Sequence, residues 1–213
     1  METKERAKKV FLELKKNYPH VPLLFLSHKT DAQMLCAIIL SAQSTDAQVN
    51  KVTESLFKKY KIVNDFASAN LRSFQKEVFS TGFYKSKGKR VIECFKKIKN
   101  DFKGKVPLEM SDLISLPGVG RKTANLVLAN KGITEGIAVD THVFRLANRI
   151  GFSCGKTPEQ VEKDLMDVFD RRVWAEINGL LISHGRAVCA AKRPLCEKCF
   201  LNEKKLCPRK GLV

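Results

Sequence analysis

Cys189, Cys196, Cys199 and Cys207, crowded near the C-terminus, are the residues of this 213-residue chain most plainly suited to chemistry. Six, two and seven residues separate them, whereas Cys36, Cys94 and Cys154 are scattered. Thiolates gathered in one short segment read as metal ligands in a reducing compartment rather than as a disulfide framework. Four of them can hold tetrahedral zinc or a four-iron cluster. Zinc ribbons usually present two Cys-x-x-Cys pairs, and here only Cys196 with Cys199 forms one. A second segment, Leu116-Pro117-Gly118-Val119-Gly120-Arg121-Lys122-Thr123-Ala124, joins an apolar helix expected to end near Leu116 to the apolar run from Ala124 to Ala129. Pro117 ends the first helix, and Gly118 and Gly120 permit the positive backbone dihedrals of a tight hairpin. With no side chains at those positions, the amides of Gly118, Val119 and Gly120 can approach a phosphate at the N-terminus of the second helix.

The elements that must hold these groups are helical. Apolar residues recur three and four apart over most of the chain, with almost no alternating runs, so an all-α protein of one or two domains is expected. Ala7, Val10, Phe11 and Leu14 make one stripe between Lys4 and Lys16, ended by Asn17-Tyr18-Pro19. From Asp31 to Leu40 the pattern is apolar almost all round, which marks a central helix. Thr45 with Gln48, and Thr157 with Gln160, read as capping boxes, the second with Pro158 at the first helical position. Between Lys85 and Lys105 lie nine Lys or Arg and only two acids, Glu93 and Asp101, opposite Val91, Ile92, Phe95 and Ile98. That helix is expected to pack on one side and present its charge to solvent or phosphate on the other.

With 39 Lys plus Arg against 22 Asp plus Glu, the formal charge is +17, a balance that favours a polyanionic partner such as nucleic acid or an acidic membrane surface. No stretch approaches the roughly 18 consecutive apolar residues of a membrane span. Met1 to Arg6 is charged and no apolar signal-peptide core follows it. The reading is a soluble intracellular protein.

Four segments, in order, resemble the endonuclease III family: Leu40-Ser41-Ala42-Gln43-Ser44-Thr45-Asp46, the hairpin string, Val139-Asp140-Thr141-His142-Val143-Phe144-Arg145 and the cysteine group. The likeness runs from about Pro22 to Cys207. It implies two helical lobes with a DNA-binding cleft between them: a six-helix barrel with a helix-hairpin-helix over residues 24–134, and an iron-sulfur cluster domain from residues 1–23 and 135–213. It also implies a base-excision repair enzyme, a DNA glycosylase and abasic-site lyase. Such an enzyme acts on double-stranded DNA carrying damaged bases, by family habit oxidised pyrimidines, or abasic sites. A monomer in a DNA-containing compartment, a prokaryotic cytoplasm or a nucleus, with no membrane role, is the matching expectation.

Residue by residue, the resemblance makes Lys122 the nucleophile and Asp140 the catalytic carboxylate. Chemistry supports both. Cleaving a glycosidic bond and then the strand calls for an amine that adds at the sugar C1′ and persists as an iminium. Lys122 is expected in the first turn of a helix, where the positive helix end, Arg121 and partial desolvation disfavour the ammonium form. Asp140 would relay a proton and stabilise positive charge on the sugar ring, and it could cap the next helix as well. His142 would contact the DNA backbone or pack between helices. Extruding a nucleotide leaves a gap that a side chain should fill. The resemblance gives this task to Gln43, aided by the loop of Phe83, where the family often has leucine. Ser41 and Thr45 would assist there or simply end a helix. The cysteines would hold a 4Fe-4S cluster. Their first two intervals match the family, while the last, usually five, is two residues longer and is expected to bulge outward. Lys192, Arg193, Lys198, Lys204 and Lys205 would make that loop a second phosphate contact. The alternatives are a monofunctional mismatch or adenine glycosylase, which typically lacks a lysine at position 122, and a non-catalytic DNA-binding protein. The adenine-removing type also carries an acid where Ala37 stands.

Overall fold

A computed structural model describes residues 2–209 and 211, and among these every regular element is a helix. They form two compact units, one from the residues up to Leu23 together with those from Ala129 onward, the other from Leu24 to Leu128.

The middle unit is built around α2 (Asp31–Leu40), which is buried from Ala32 through Leu40, as its all-round apolar pattern requires. Thr30 caps it by accepting from the Gln33 amide. Around it lie α3 (Asp46–Lys59), α4 (Val63–Ala67), α5 (Leu71–Glu77), α6 (Tyr84–Asp101) and α7 (Met110–Ile114), and the first turns of α8 (Arg121–Asn130). The amphipathic α6 is the hub, packed against α2, α4 and α5. Its Phe95 stacks on Phe66 with centroids 4.5 Å apart, and Tyr60 also stacks on Phe66 at 5.3 Å. Phe66, Phe74 and Phe95 are wholly buried, each worth about 1.5–3 kcal/mol of burial, so this unit closes its core without help. The capping box read at Thr45 is half formed. Thr45 accepts from the Gln48 amide, but the Gln48 side chain donates instead to Ser80 Oγ, 2.8 Å away.

The other unit packs α1 (Thr3–Asn17) with α9 (Thr141–Ile150), α10 (Pro158–Val168), α11 (Trp174–Ala187) and α12 (Phe200–Glu203). Ala7, Val10 and Leu14 meet Val143, Leu146, Val161, Leu165 and Leu180 in one core. Arg6 draws the first helix to this late part of the chain. Its guanidinium donates to the carbonyls of Ile150, Gly151 and Leu206 at 2.6–3.0 Å and lies over the Phe152 ring. The Thr157 box is complete, with Pro158 opening α10. The line between units falls at 128/129 rather than at 134/135. Arg171 Nε donates to the Thr134 carbonyl at 3.0 Å, which ties the 129–134 segment to the unit of α11.

Candidate functional site

α7 ends at Ile114, two residues before the point expected from sequence, and Leu116 and Val119 turn their side chains into the core. The Val119 amide donates to the Leu116 carbonyl at 3.1 Å, closing the turn. Gly118 has φ +82°, a conformation that favours glycine, and a Cβ there would come 3.1 Å from Arg90 Cβ, so Arg90 would have to give by a few tenths of an ångström. Gly120 differs from the sequence reading. Its φ is outside the left-handed region, and a Cβ would meet nothing within 4 Å. No demand internal to the chain requires glycine at that position. The open space beside its amide is what an approaching phosphate would need. Lys122 follows in the first turn of α8 and is exposed, so the expected desolvation is not supplied by the chain itself.

In the same unit, Gln43 and Phe83 are both non-glycine residues in left-handed backbone, φ 55° and 46°. Such strain costs about 1–3 kcal/mol per residue and persists only where the surroundings enforce it. Both side chains are exposed, Phe83 by 65%. Ser41 Oγ donates to the Ile38 carbonyl, closing α2 before the Gln43 loop. Ser44 Oγ donates to the Thr81 carbonyl, joining that loop to the Phe83 loop. Lys87, counted by sequence among the outward charges of α6, is buried instead, with Nζ 2.8 Å from Ser44 Oγ and 2.7 Å from the Thr81 carbonyl. Its position was legible: 87 continues the 91, 95, 98 stripe one turn upstream.

In the other unit, Asp140 is the N-cap of α9, its Oδ1 accepting from the Val143 amide at 2.8 Å, and it is half-buried. His142 Nδ1 is 3.2 Å from Arg145 Nη2, which donates to it. A Cβ on Gly185 would lie 2.7 Å from that same ring nitrogen, so α11 packs tightly over the start of α9.

All seven cysteines are free. Cys36 and Cys94 are wholly buried core residues, and burial pushes the Cys94 thiol up to about 12, which leaves it inert. Cys189, Cys196, Cys199 and Cys207 instead line one cavity with Ile150, Val188 and Leu201. Burial raises the Cys199 and Cys207 thiols, and the charges of the other cysteines add to the effect, so the four sulfurs lie within electrostatic reach of one another. Among the described residues no three ligand side chains converge as a single ion would need. Arg149 Nη1 donates to Cys189 Sγ at 3.4 Å. His184, buried and lowered by that burial to about 4, is neutral at pH 7. Its Nδ1 is 3.1 Å from the Tyr18 hydroxyl and its Nε2 is 3.5 Å from Cys199 Sγ. A hydroxyl donating to Nδ1 and an Nε2–H donating to sulfur satisfies all three groups.

The long last interval does not bulge outward. Lys205 takes a left-handed conformation, its amide donates to the Asn202 carbonyl at 2.9 Å, and the Leu206 amide donates to Leu201 at 2.8 Å. This is a Schellman closure of α12, with Leu201 and Leu206 both buried. Of the five basic residues on this loop, Lys204 is engaged by Glu13 of α1, while Lys192, Arg193, Lys198 and Lys205 are exposed.

Residues 36–171 match the HhH-GPD superfamily of base excision DNA repair proteins. The chain is 45% identical over 206 residues to endonuclease III of Synechocystis sp., covering 96% of this chain and 93% of that one. It is 39% identical over 201 residues to endonuclease III of Bacillus subtilis, covering 92% and 91%. A trapped endonuclease III–DNA covalent intermediate superposes with a TM-score of 0.90 at 36% identity, covering 98% of this chain and 97% of that one. A thermostable thymine-DNA glycosylase shares the fold, with a TM-score of 0.77 at 23% identity over 98% of each chain.

Proposed function

The chain belongs to the HhH-GPD superfamily of base excision DNA repair proteins and, within it, to the endonuclease III family, and from that premise we propose how its own residues divide the work. It is a bifunctional DNA glycosylase and abasic-site lyase of base-excision repair. The exposed Lys122 carries the reading, standing in the first turn of α8 two residues after a Gly120 that no internal contact requires. Phosphate held by the amides of Gly118 and Gly120, the Val119 amide being spent on the Leu116 carbonyl rather than on phosphate as the sequence suggested, brings the sugar to this amine, and the covering DNA supplies the desolvation the free chain lacks. The neutral amine adds at C1′ and the base departs with its bonding pair. The nitrogen then gives up a proton and the C1′–O4′ bond opens, O4′ leaving with its pair and taking a proton, to give an iminium. The iminium that remains acidifies the C2′ proton, whose loss expels the 3′ phosphate. Asp140 accepts and relays the proton and stabilises positive charge on the ring, while its cap to Val143 fixes its orientation.

Gln43 and Phe83 fill the gap left by the extruded nucleotide, supported by their exposure and enforced backbone. His142, engaged by Arg145 and packed beneath Gly185, is assigned to holding the start of α9 beside Asp140 rather than to a direct DNA contact.

Cys189, Cys196, Cys199 and Cys207 would hold a 4Fe-4S cluster. The four sulfurs line one cavity, and only Cys196 with Cys199 forms the Cys-x-x-Cys pair of which a zinc ribbon usually presents two. When bound, the cluster supplies structural closure and local charge. Lys192, Arg193, Lys198 and Lys205 on the same loop provide a further phosphate contact. The substrate we propose is duplex DNA with an oxidised pyrimidine or an abasic site, met by a monomer in a reducing, DNA-containing compartment, a setting the seven free cysteines support. A monofunctional glycosylase is disfavoured by the lysine at position 122, and its adenine-removing form by Ala37.

Borohydride reduction tests the central assignment. The unsubstituted protein is expected to crosslink to duplex containing an abasic site, and Lys122→Gln to lose crosslink and strand cleavage while retaining lesion binding. Crosslinking by Lys122→Gln at the unsubstituted level would place the nucleophile on another amine.

A further inference from the structure

Among the described residues Lys87 is the only buried lysine, 3% exposed, and no carboxylate pairs with it. Its ammonium is held by a hydroxyl and a carbonyl, Ser44 Oγ at 2.8 Å and the Thr81 oxygen at 2.7 Å. Burying an ammonium on neutral acceptors is a poor way to stabilise a core, since an apolar side chain of the same length would avoid the desolvation. The two acceptors have something in common. Ser44 follows Gln43, and Thr81 stands two residues before Phe83. Ser44 Oγ also donates to the Thr81 carbonyl, and Gln48 Nε2, in the first turn of α3 just after the Gln43 loop, to Ser80 Oγ, so two further side-chain bonds join these segments. Gln43 and Phe83, the residues those loops present, are both exposed and both left-handed. Lys87 belongs to the first turns of α6, and its amide donates to the Phe83 carbonyl at 3.0 Å, so one residue grips the Phe83 loop by backbone and side chain and the Gln43 loop by side chain alone.

We propose that Lys87 is a positioning residue that locks the Gln43 loop to the Phe83 loop, so that both side chains enter the vacated base stack as one rigid unit. The proposal rests on the repair reading above. Two independent loops would each have to find the inserted geometry after the nucleotide leaves; a locked pair meets the duplex already arranged. The locking therefore matters while a paired base is being extruded. It matters little where the base is already unpaired or absent.

The test uses the full-length, cluster-loaded protein with Lys87→Met, which keeps the buried stem and removes the ammonium, and Ser44→Ala, which removes the hydroxyl's contacts with Lys87 and with the Thr81 carbonyl, leaves the Lys87 bond to Thr81 and adds no bulk. Single-turnover base release is measured on duplex carrying 5-hydroxycytosine opposite guanine and on the same lesion in a single strand. Borohydride crosslinking to abasic duplex and the fluorescence of a 2-aminopurine beside the lesion are followed in parallel. Lys87→Met is expected to slow release from the paired lesion about tenfold and to reduce the 2-aminopurine rise, with single-strand release and abasic crosslinking within about twofold. Ser44→Ala should move the same readouts by about threefold. Combined with Gln43→Ala, Lys87→Met should add almost nothing, because both remove the same insertion. Equal slowing on all substrates, or full additivity with Gln43→Ala, would overturn the proposal. If Lys87→Met does not fold, Ser44→Ala decides alone, and normal release and fluorescence in it would overturn the locking. An unsubstituted protein that neither releases the base nor crosslinks would fail the repair reading itself, and this proposal with it.

Discussion

The hairpin from Leu116 to Lys122 and the loop from Cys189 to Cys207 are the two segments on which the proposed function rests, and they are held in opposite ways. The hairpin stands on a core already closed by stacked Phe66 and Phe95, and its shape is set locally by one left-handed glycine. The cysteine loop contributes Leu201 and Leu206 to its unit's core and otherwise leaves four half-buried or buried sulfurs around a shared cavity. A segment of the first kind can lose function and keep its fold; one of the second kind depends on what its sulfurs hold.

The largest expected effect tests that dependence. Cys199→Ser, or removal of iron by chelation, should bleach absorption near roughly 400 nm and destabilise the unit of α1 and α9–α12 by about 3 kcal/mol or more. Calorimetry should show this loss while α2–α6 melt as before. A variant that bleaches yet melts normally would erase the contrast between the two regions.

Asp140→Asn lies in the cysteine-bearing unit but should behave like a hairpin change. An asparagine keeps the cap to Val143, so stability should shift by only about 0.5 kcal/mol, while base release falls roughly 10²-fold. Rates on a pre-formed abasic site, where no base must leave, should fall less. Equal loss on both substrates would move Asp140 from base departure to the elimination steps.

The two hairpin glycines sharpen the comparison further, because their environments differ. Gly120→Ala should weaken binding to damaged and undamaged duplex alike, by about tenfold, with stability unchanged within about 0.5 kcal/mol. Gly118→Ala should cost about 1–2 kcal/mol of stability, since its φ is +82° and Arg90 stands close. A Gly120→Ala protein that is destabilised as much as Gly118→Ala would mean that the fold, not a phosphate, requires both glycines. The smallest effect is Lys204→Ala, whose pair with Glu13 is partly exposed and should be worth less than about 1 kcal/mol in a denaturant titration.

Local chemistry was readable from the chain alone wherever the constraint spans only a few residues. Apolar periodicity placed α1 and α2, a capping box with Pro158 placed the start of α10, a proline and a glycine announced the hairpin, and the crowding of four cysteines announced a shared site, which the structure shows as one cavity that all four line. The same reading put positive φ at Gly120, sent the last cysteine interval outward and set Lys87 on the surface. In each case the outcome rests on a neighbour that periodicity does not name. Gly120 is judged by the space around it, and the long interval is turned back by the burial of Leu206 on Leu201. Lys87 is decided by Ser44, 43 positions earlier in the chain, and Arg6 joins the first helix to Leu206, 200 positions later. Side-chain spacing along a helix says which face a residue occupies, but which partner meets that face depends on contacts between distant segments, and these exist only once the chain has packed.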